Sequence, residues 1–234
     1  MSNALILEYY DELPESRGSR TKAFEARLRT ALEKYKRRVT GRYTEGTLQR
    51  LLSSSDLRTR RAAVLALGLT GSMKASNALL AGMLHDPDRA VRHLAADALW
   101  SLWLRAGPEG ENGELHRLME SADLVKKQSG LDALIRRCPN FAEAYNQRAI
   151  LRFQLEQWHT SIADCQRALK LNPYHYAAAA GMGKCYLELG RQRAALRALR
   201  LALRINPNLA EVERTVRVLE ATLGEEGRRD DKKQ

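Results

Sequence analysis

Five histidines and three cysteines are the side chains in this 234-residue sequence best suited to metal or nucleophilic chemistry. His85, His93, His116, His159 and His175 form no H-E-x-x-H motif, no His-Glu dipeptide and no His–Cys spacing of the zinc type. Cys138, Cys165 and Cys185 contain no C-x-x-C pair and are odd in number, so they read as reduced thiols of a cytoplasmic protein. The stretch GMGKCYLELG at 181–190 opens as G-x-G. Tyr186 stands where a dinucleotide-binding turn requires its next glycine, and no strand pattern precedes it, so it reads as a tight helix crossing. No Ser–His–acid set can be assembled. The sequence therefore reads as non-enzymatic, with no catalytic residue, no metal and no cofactor.

Charge offers a different kind of chemistry. Lys and Arg total 39 against 28 Asp and Glu, a net +11. Between Thr21 and Arg61 there are twelve basic residues and four acidic ones, including KYKRR at 34–38 and nearby Arg42. Such a segment could attract phosphates, so nucleic acid or another acidic surface is an alternative partner. A charged outer face on an amphipathic helix accounts for the same residues and ranks first. Arg193, Arg197, Arg200 and Arg204 form a second basic stripe at helical spacing, read as a solvated convex face. The longest uncharged stretch, Leu171–Gly183, contains Asn, Pro and His and is too short and polar to span a bilayer. Glu8, Asp11 and Glu12 follow the N-terminus where a secretory signal would be basic and then apolar, so neither a signal nor a membrane partner is expected.

The elements that would position these residues are set by repetition. Pro139, Pro173 and Pro207 lie 34 residues apart, and the same offset pairs Ala149 with Gly183, Leu155 with Leu189, Ala168 with Ala202 and Asn172 with Asn206. Small residues at 149 and 183 admit close helix approach, and Asn-Pro ends a helix because the residue before Pro leaves the α region. Asn140-x-x-Glu143 and Asn208-x-x-Glu211 have the spacing of capping boxes. Upstream, an offset of 32 pairs Leu48 with Leu80, Asp56 with Asp88, Arg60 with Arg92, Ala63 with Ala95 and Leu67 with Leu99. Asp56–Arg60 and Asp88–Arg92 are spaced as i,i+4 ion pairs, and Asp86-Pro87 reads as a helix start. Phe24, Leu28, Leu32, Tyr35 and Val39 line one face of a helix over about 21–40.

The 34-residue pattern closely resembles the tetratricopeptide repeat, with Tyr145 and Ala179 where the family usually has a bulkier aromatic. The 32-residue blocks resemble HEAT repeats in a short form, in which Asp and Arg also tie neighbouring repeats together. The expected fold is thus an all-α solenoid. Its segments are an N-terminal stretch (1–20), a capping helix with HEAT-like repeats (21–104), a Gly-rich linker (105–113), tetratricopeptide repeats with a degenerate first unit and a closing helix (114–223), and a disordered charged tail (224–234). The tetratricopeptide resemblance implies a protein-interaction adaptor whose first helices line a concave groove for a protein or peptide. Glu143, Asn146, Gln147, Ile150, Phe153 and Gln154 would face it from one unit, Lys184, Leu187 and Glu188 from the next, and Arg214 from the closing helix. Relatives that grip a C-terminal carboxylate use Lys, Arg and Asn there. Of the matching positions Asn146, Ile150, Gly181, Glu211 and Thr215, one could serve, so an apolar anchor such as an amphipathic helix is expected instead. HEAT-like relatives also imply an accessory role beside a lyase as a further alternative.

Overall fold

The computed structural model describes residues 5–14 and 21–230, the side chains of 225–230 excepted. It is all-α: thirteen α-helices and one 3-10 turn, with no strand among the described residues. The chain forms two compact units, Met1–Leu102 and Trp103–Gln234.

In the first unit, α1 (Leu5–Asp11) packs on α2 (Lys22–Thr40) and α4 (Leu57–Thr70). It buries Ile6, Leu7 and Tyr9. The stripe of α2 is half-buried at Phe24, Leu28 and Leu32 and fully buried at Tyr35 and Val39. Tyr35 donates its hydroxyl to the Ala62 carbonyl at 2.8 Å, tying α2 to α4. The repeats follow as α3 (Glu45–Leu51) with α4, then α5 (Met73–Gly82) and the start of α6 (Arg89–Leu104). Short polar side chains start these helices by accepting a backbone N–H: Thr21, Thr44, Asp56 and Ser72 cap α2, α3, α4 and α5.

Two sequence expectations change here. Helix α6 begins at Arg89, two residues later than the Asp86-Pro87 reading, because Asp86 accepts the Asp88 N–H at 2.8 Å and Asp88 itself accepts from Val91 N–H at 2.9 Å. Arg60 and Arg61 also pair between repeats, as the HEAT resemblance implied, and not as the i,i+4 pairing that the Asp56–Arg60 spacing suggested. Arg60 meets Asp86 at 2.9 Å and Arg61 meets Asp88 at 3.0 Å, while Asp56 accepts from the Thr59 N–H and hydroxyl. A side chain at i+4 points along the helix surface, whereas the neighbouring repeat brings a carboxylate into the groove between helices, where water competes less.

The second unit stacks α7 (Glu111–Glu120), α8 (Leu124–Arg137), α9 (Ala142–Gln154), α10 (Trp158–Leu171), α11 (Tyr176–Glu188), α12 (Gln192–Ile205) and α13 (Ala210–Asp230). Its two helix ends at Asn-Pro are built alike. Asn172 and Asn206 are buried, each sits in extended backbone, and each side-chain oxygen accepts the N–H two residues on, Tyr174 at 3.1 Å and Asn208 at 3.0 Å. The Asn thus folds the chain over the proline that follows it. Asn140 does not cap α9: the N-cap position is Phe141, with no side-chain bond. Helix α13 runs on to Asp230, so 224–230 is helical where the charge content pointed to disorder. Glu and Arg are good helix formers, and extending an existing helix needs no new nucleus. Residues 231–234 lie outside the described ones.

Arg148 clasps three helices of this unit. It donates to Asp132 of α8 at 2.7 Å and to Asp164 of α10 at 2.7 and 2.9 Å, and Asp164 also accepts from Arg152 at 2.8 Å. Close approach depends on glycine at two crossings. A Cβ on Gly68 would lie 2.8 Å from the Ala98 Cα, and one on Gly183 would lie 2.6 Å from the Leu199 Cγ. A Cβ on Gly181 would meet nothing nearer than the Cys165 Sγ at 3.6 Å. Gly68→Ala and Gly183→Ala should therefore each destabilise the chain, the overpacking cost of about 1–3 kcal/mol outweighing the helix-propensity gain. Gly181→Ala should hold stability or raise it by about 0.5–1 kcal/mol. Urea unfolding of the three variants is the check, and equal behaviour at 181 and 183 would contradict this assignment.

Candidate functional site

A cavity of about 610 Å³ opens between α9, α11 and α13. Helical spacing dictates its walls. Asn146, Ala149, Ile150, Phe153 and Gln154 recur every three or four residues along α9, and Ala177, Ala180, Gly181, Lys184 and Leu187 do the same on α11. Glu211, Val212 and Thr215 close it from α13, with Leu209 just ahead of that helix. Ser161 and Cys165 of α10 and Leu199 of α12 lie beneath, and Tyr176 stands at the start of α11. Ile150 is 43% exposed, Phe153 and Leu187 are half-buried, and the Phe153 ring meets Trp158 edge-on at 4.8 Å.

Of the residues expected in the groove, Asn146, Ile150, Phe153, Gln154, Lys184 and Leu187 line this cavity. Glu188 and Arg214 are exposed but lie outside its wall, and Arg214 is drawn onto Glu211. Glu143 and Gln147 are corrected: both are buried, and the Glu143 side chain is fully enclosed. Its carboxylate accepts from His175 Nε2 at 2.9 Å, Asn146 Nδ2 at 3.0 Å and Gln147 Nε2 at 2.6 Å. An enclosed carboxylate needs donors, and the neighbouring repeat supplies one. His175 Nδ1 accepts the Ala178 N–H at 3.2 Å, capping α11, and the ring stacks on Trp103 at 4.3 Å. The floor residues Cys165 and Leu199 were not expected in the groove. They sit 34 residues apart, so the proline period marks them as one repeat position seen twice.

Electrostatically the groove is sparse. Lys184 is exposed at the rim and joins no ion pair among those of the described residues, while Glu211 is paired with Arg214. Burial pushes the Cys165 thiol up to about 12, reinforced by nearby Cys185 and Asp164. Burial likewise raises Cys185 and Cys138. Cys185 donates to the Ser161 hydroxyl, which donates in turn to the Ala149 carbonyl at 2.8 Å. Among the described residues no three His, Cys, Asp or Glu side chains converge as a metal would need, and no helix is long and apolar enough to cross a membrane.

The basic N-terminal segment is partly engaged with acids. Glu12 binds Lys34 at 2.8 Å and also Arg38, and Asp11 binds Arg58. Hydrogen bonds from Lys34 and Arg38 hold the Glu12 carboxyl down at about 2. With Arg60 and Arg61 committed to Asp86 and Asp88, five of the segment's basic side chains already face a carboxylate. Of the second basic stripe, all four arginines are exposed, and Arg200 reaches Glu220 at 2.7 Å.

Two outcomes are expected. Glu143→Ala should cost about 2–5 kcal/mol in urea unfolding, since it strands three buried donors. Glu143→Gln, which keeps one acceptor oxygen, should cost less. Unchanged stability with lost partner binding would return Glu143 to the groove. Separately, thiol titration of the folded chain at mildly alkaline pH should detect none of the three cysteines on a timescale of minutes, and all three after denaturation, because only the thiolate reacts.

Comparison with known proteins supports the same architecture. A family model for HEAT repeats matches residues 21–100 and one for the tetratricopeptide repeat matches 152–217. A TPR repeat-containing protein of Rhizobium etli is 28% identical over 129 residues, covering 52% of this chain and 60% of that protein. Sperm-associated antigen 1 of Mus musculus is 31% identical over 83 residues, 32% of this chain and 9% of that protein. The chain thus spans less than two thirds of either relative. The solved structure described as MamA MSR-1 C2 shares 15% identity at a TM-score of 0.43, covering 70% of this chain and 87% of that one, too slight a likeness to carry a functional inference. Repeats of both kinds are typically non-catalytic and serve protein interaction through extended surfaces. Within its all-α fold the chain thus carries one segment that matches HEAT repeats, over 21–100, followed by one that matches tetratricopeptide repeats, over 152–217.

Proposed function

We propose that the chain is a non-enzymatic adaptor that holds an amphipathic helix of a protein partner in the groove between α9, α11 and α13. One observation carries this reading: a cavity of about 610 Å³ whose wall is apolar along α9 and α11 and whose rim holds one unpaired cation of the described residues, Lys184. An apolar anchor set beside Ile150, Phe153 and Leu187 removes about 1.5–3 kcal/mol worth of side chain from water. A carboxylate one turn along the same helix meets Lys184 and fixes register. A partner chosen for its C-terminal carboxylate would need a cluster of donors, and the groove offers Lys184 beside a Glu211 already paired with Arg214, the buried Asn146 amide being taken up by Glu143. Three buried free thiols fit a reducing compartment.

Pull-down with the Phe153→Ala, Leu187→Ala double variant tests the reading. Recovery of the partner seen with the unaltered chain should fall at least about tenfold with melting little changed, since central anchor residues dominate binding. Recovery should also survive high salt. Unchanged recovery by a folded double variant would remove the groove, and a steep loss with salt would shift attention to phosphate contacts made by 22–61.

A further inference from the structure

We infer that the groove contains a pocket for a bulky, preferentially aromatic, side chain of an acidic amphipathic helix, and that Gly181 sets its depth. The inference rests on the groove being the binding surface and says what that surface selects. Across the 34-residue offset, Glu143, Asn146 and Gln147 of α9 correspond to Ala177, Ala180 and Gly181 of α11. Two methyl groups and a hydrogen therefore line the cavity where the preceding repeat carries three long polar side chains.

Nothing in the packing of the fold asks for glycine at 181. It lies inside α11, where glycine costs about 1 kcal/mol relative to alanine, and its φ is not positive. A Cβ there would rest 3.6 Å from the Cys165 sulfur, an ordinary contact, in contrast to Gly183 two residues on, which packs against Leu199. Gly181 is thus a helix-weakening residue that keeps space open over the cavity floor at Cys165 without being needed for a close helix crossing.

The surroundings favour an aromatic occupant. Phe153 and Tyr176 contribute rings to the wall and Cys165 contributes a polarisable sulfur to the floor. The volume of about 610 Å³ falls within the range of pockets that enclose small ligands. Lys184 lies three residues beyond Gly181 on the same helix, so a carboxylate near the anchor finds a cation at the rim.

The pocket can be tested without the natural partner, using N-acetyl-tryptophanamide, N-acetyl-leucinamide and N-acetyl-alaninamide added to full-length chain labelled at alanine methyl groups. The tryptophan probe should shift the Ala177 and Ala180 methyls saturably and bind at least about tenfold more tightly than the alanine probe, with leucine between. The Ala178 and Ala179 methyls, fully buried on the same helix, should move least. Gly181→Leu should abolish the shifts while keeping the melting temperature. If that variant folds poorly, Gly181→Ala should still weaken tryptophan-probe binding several-fold. Equal response to the three probes, no saturable response to tryptophan, or full binding by a folded Gly181→Leu or Gly181→Ala chain each overturns the inference. The groove itself is judged separately, by partner recovery with the Phe153→Ala, Leu187→Ala variant, so the two can fail independently.

Discussion

The hydrogen bond from His175 Nε2 to Glu143 fixes the N-terminal ends of α9 and α11 against each other. Because Nδ1 already accepts the Ala178 N–H, the ring proton sits on Nε2, and the imidazole is neutral while it donates to the carboxylate. Two demands are met by one ring, a cap for α11 and a donor for a fully enclosed acid. The stack on Trp103 restricts the ring to that plane. Helices α9 and α11 both contribute to the groove wall, and Asn146, which lines the cavity, is held by the same carboxylate. A repeat array depends on contacts between neighbouring units, and this bond is one of them.

Behind that seam, the unit closes by size and charge together. Arg148 joins α8, α9 and α10 through two aspartates, one of them nearly enclosed. Its guanidinium loses hydration on burial, and the hydrogen bonds with Asp164 and then Asp132 more than offset this, leaving it more basic than usual. A planar fork with five donors suits this task where a lysine would not. The glycine at 183 lets α11 come onto Leu199 of α12. The helices are therefore drawn tight on one side of α11, while Ala177, Ala180 and Gly181 leave its other side short of side-chain volume. The cavity follows from that asymmetry.

Much of this was legible in the sequence, and the reasons differ by residue. The prolines at 139, 173 and 207 announce the period because helix termination is a local event. Ala149 and Gly183 announce the crossings because only size matters there. That Asp and Arg tie neighbouring repeats was implied by the HEAT resemblance, but the particular pairs Arg60–Asp86 and Arg61–Asp88 were not legible, since i,i+4 spacing describes one helix. Glu143 was misplaced for the same reason: its position on α9 points to the concave side, but its fate depends on His175, 32 residues away. Six of the residues expected on α9 and α11 line the cavity, because the repeat register assigns faces. The floor contributed by Cys165 and Leu199 depends on how deeply two stacked helix pairs interpenetrate, which spacing alone does not encode.

Net charge is a poor guide to where this molecule makes contact. The sequence carries +11, and its densest basic segment lies in the first unit, yet α1 brings Asp11 and Glu12 onto that segment and the repeat-joining aspartates take two more arginines. A short acidic helix with Ile6, Leu7 and Tyr9 buried against α2 and α4 is itself an example of an amphipathic, acidic helix seated on a repeat surface, with Arg38 lying over the Tyr9 ring at 3.8 Å. The same chemistry, apolar anchor plus flanking carboxylate, is what we propose for the groove of the second unit at Lys184. Several basic residues here serve as the polar half of helix docking, Arg38, Arg58, Arg60 and Arg61 among them.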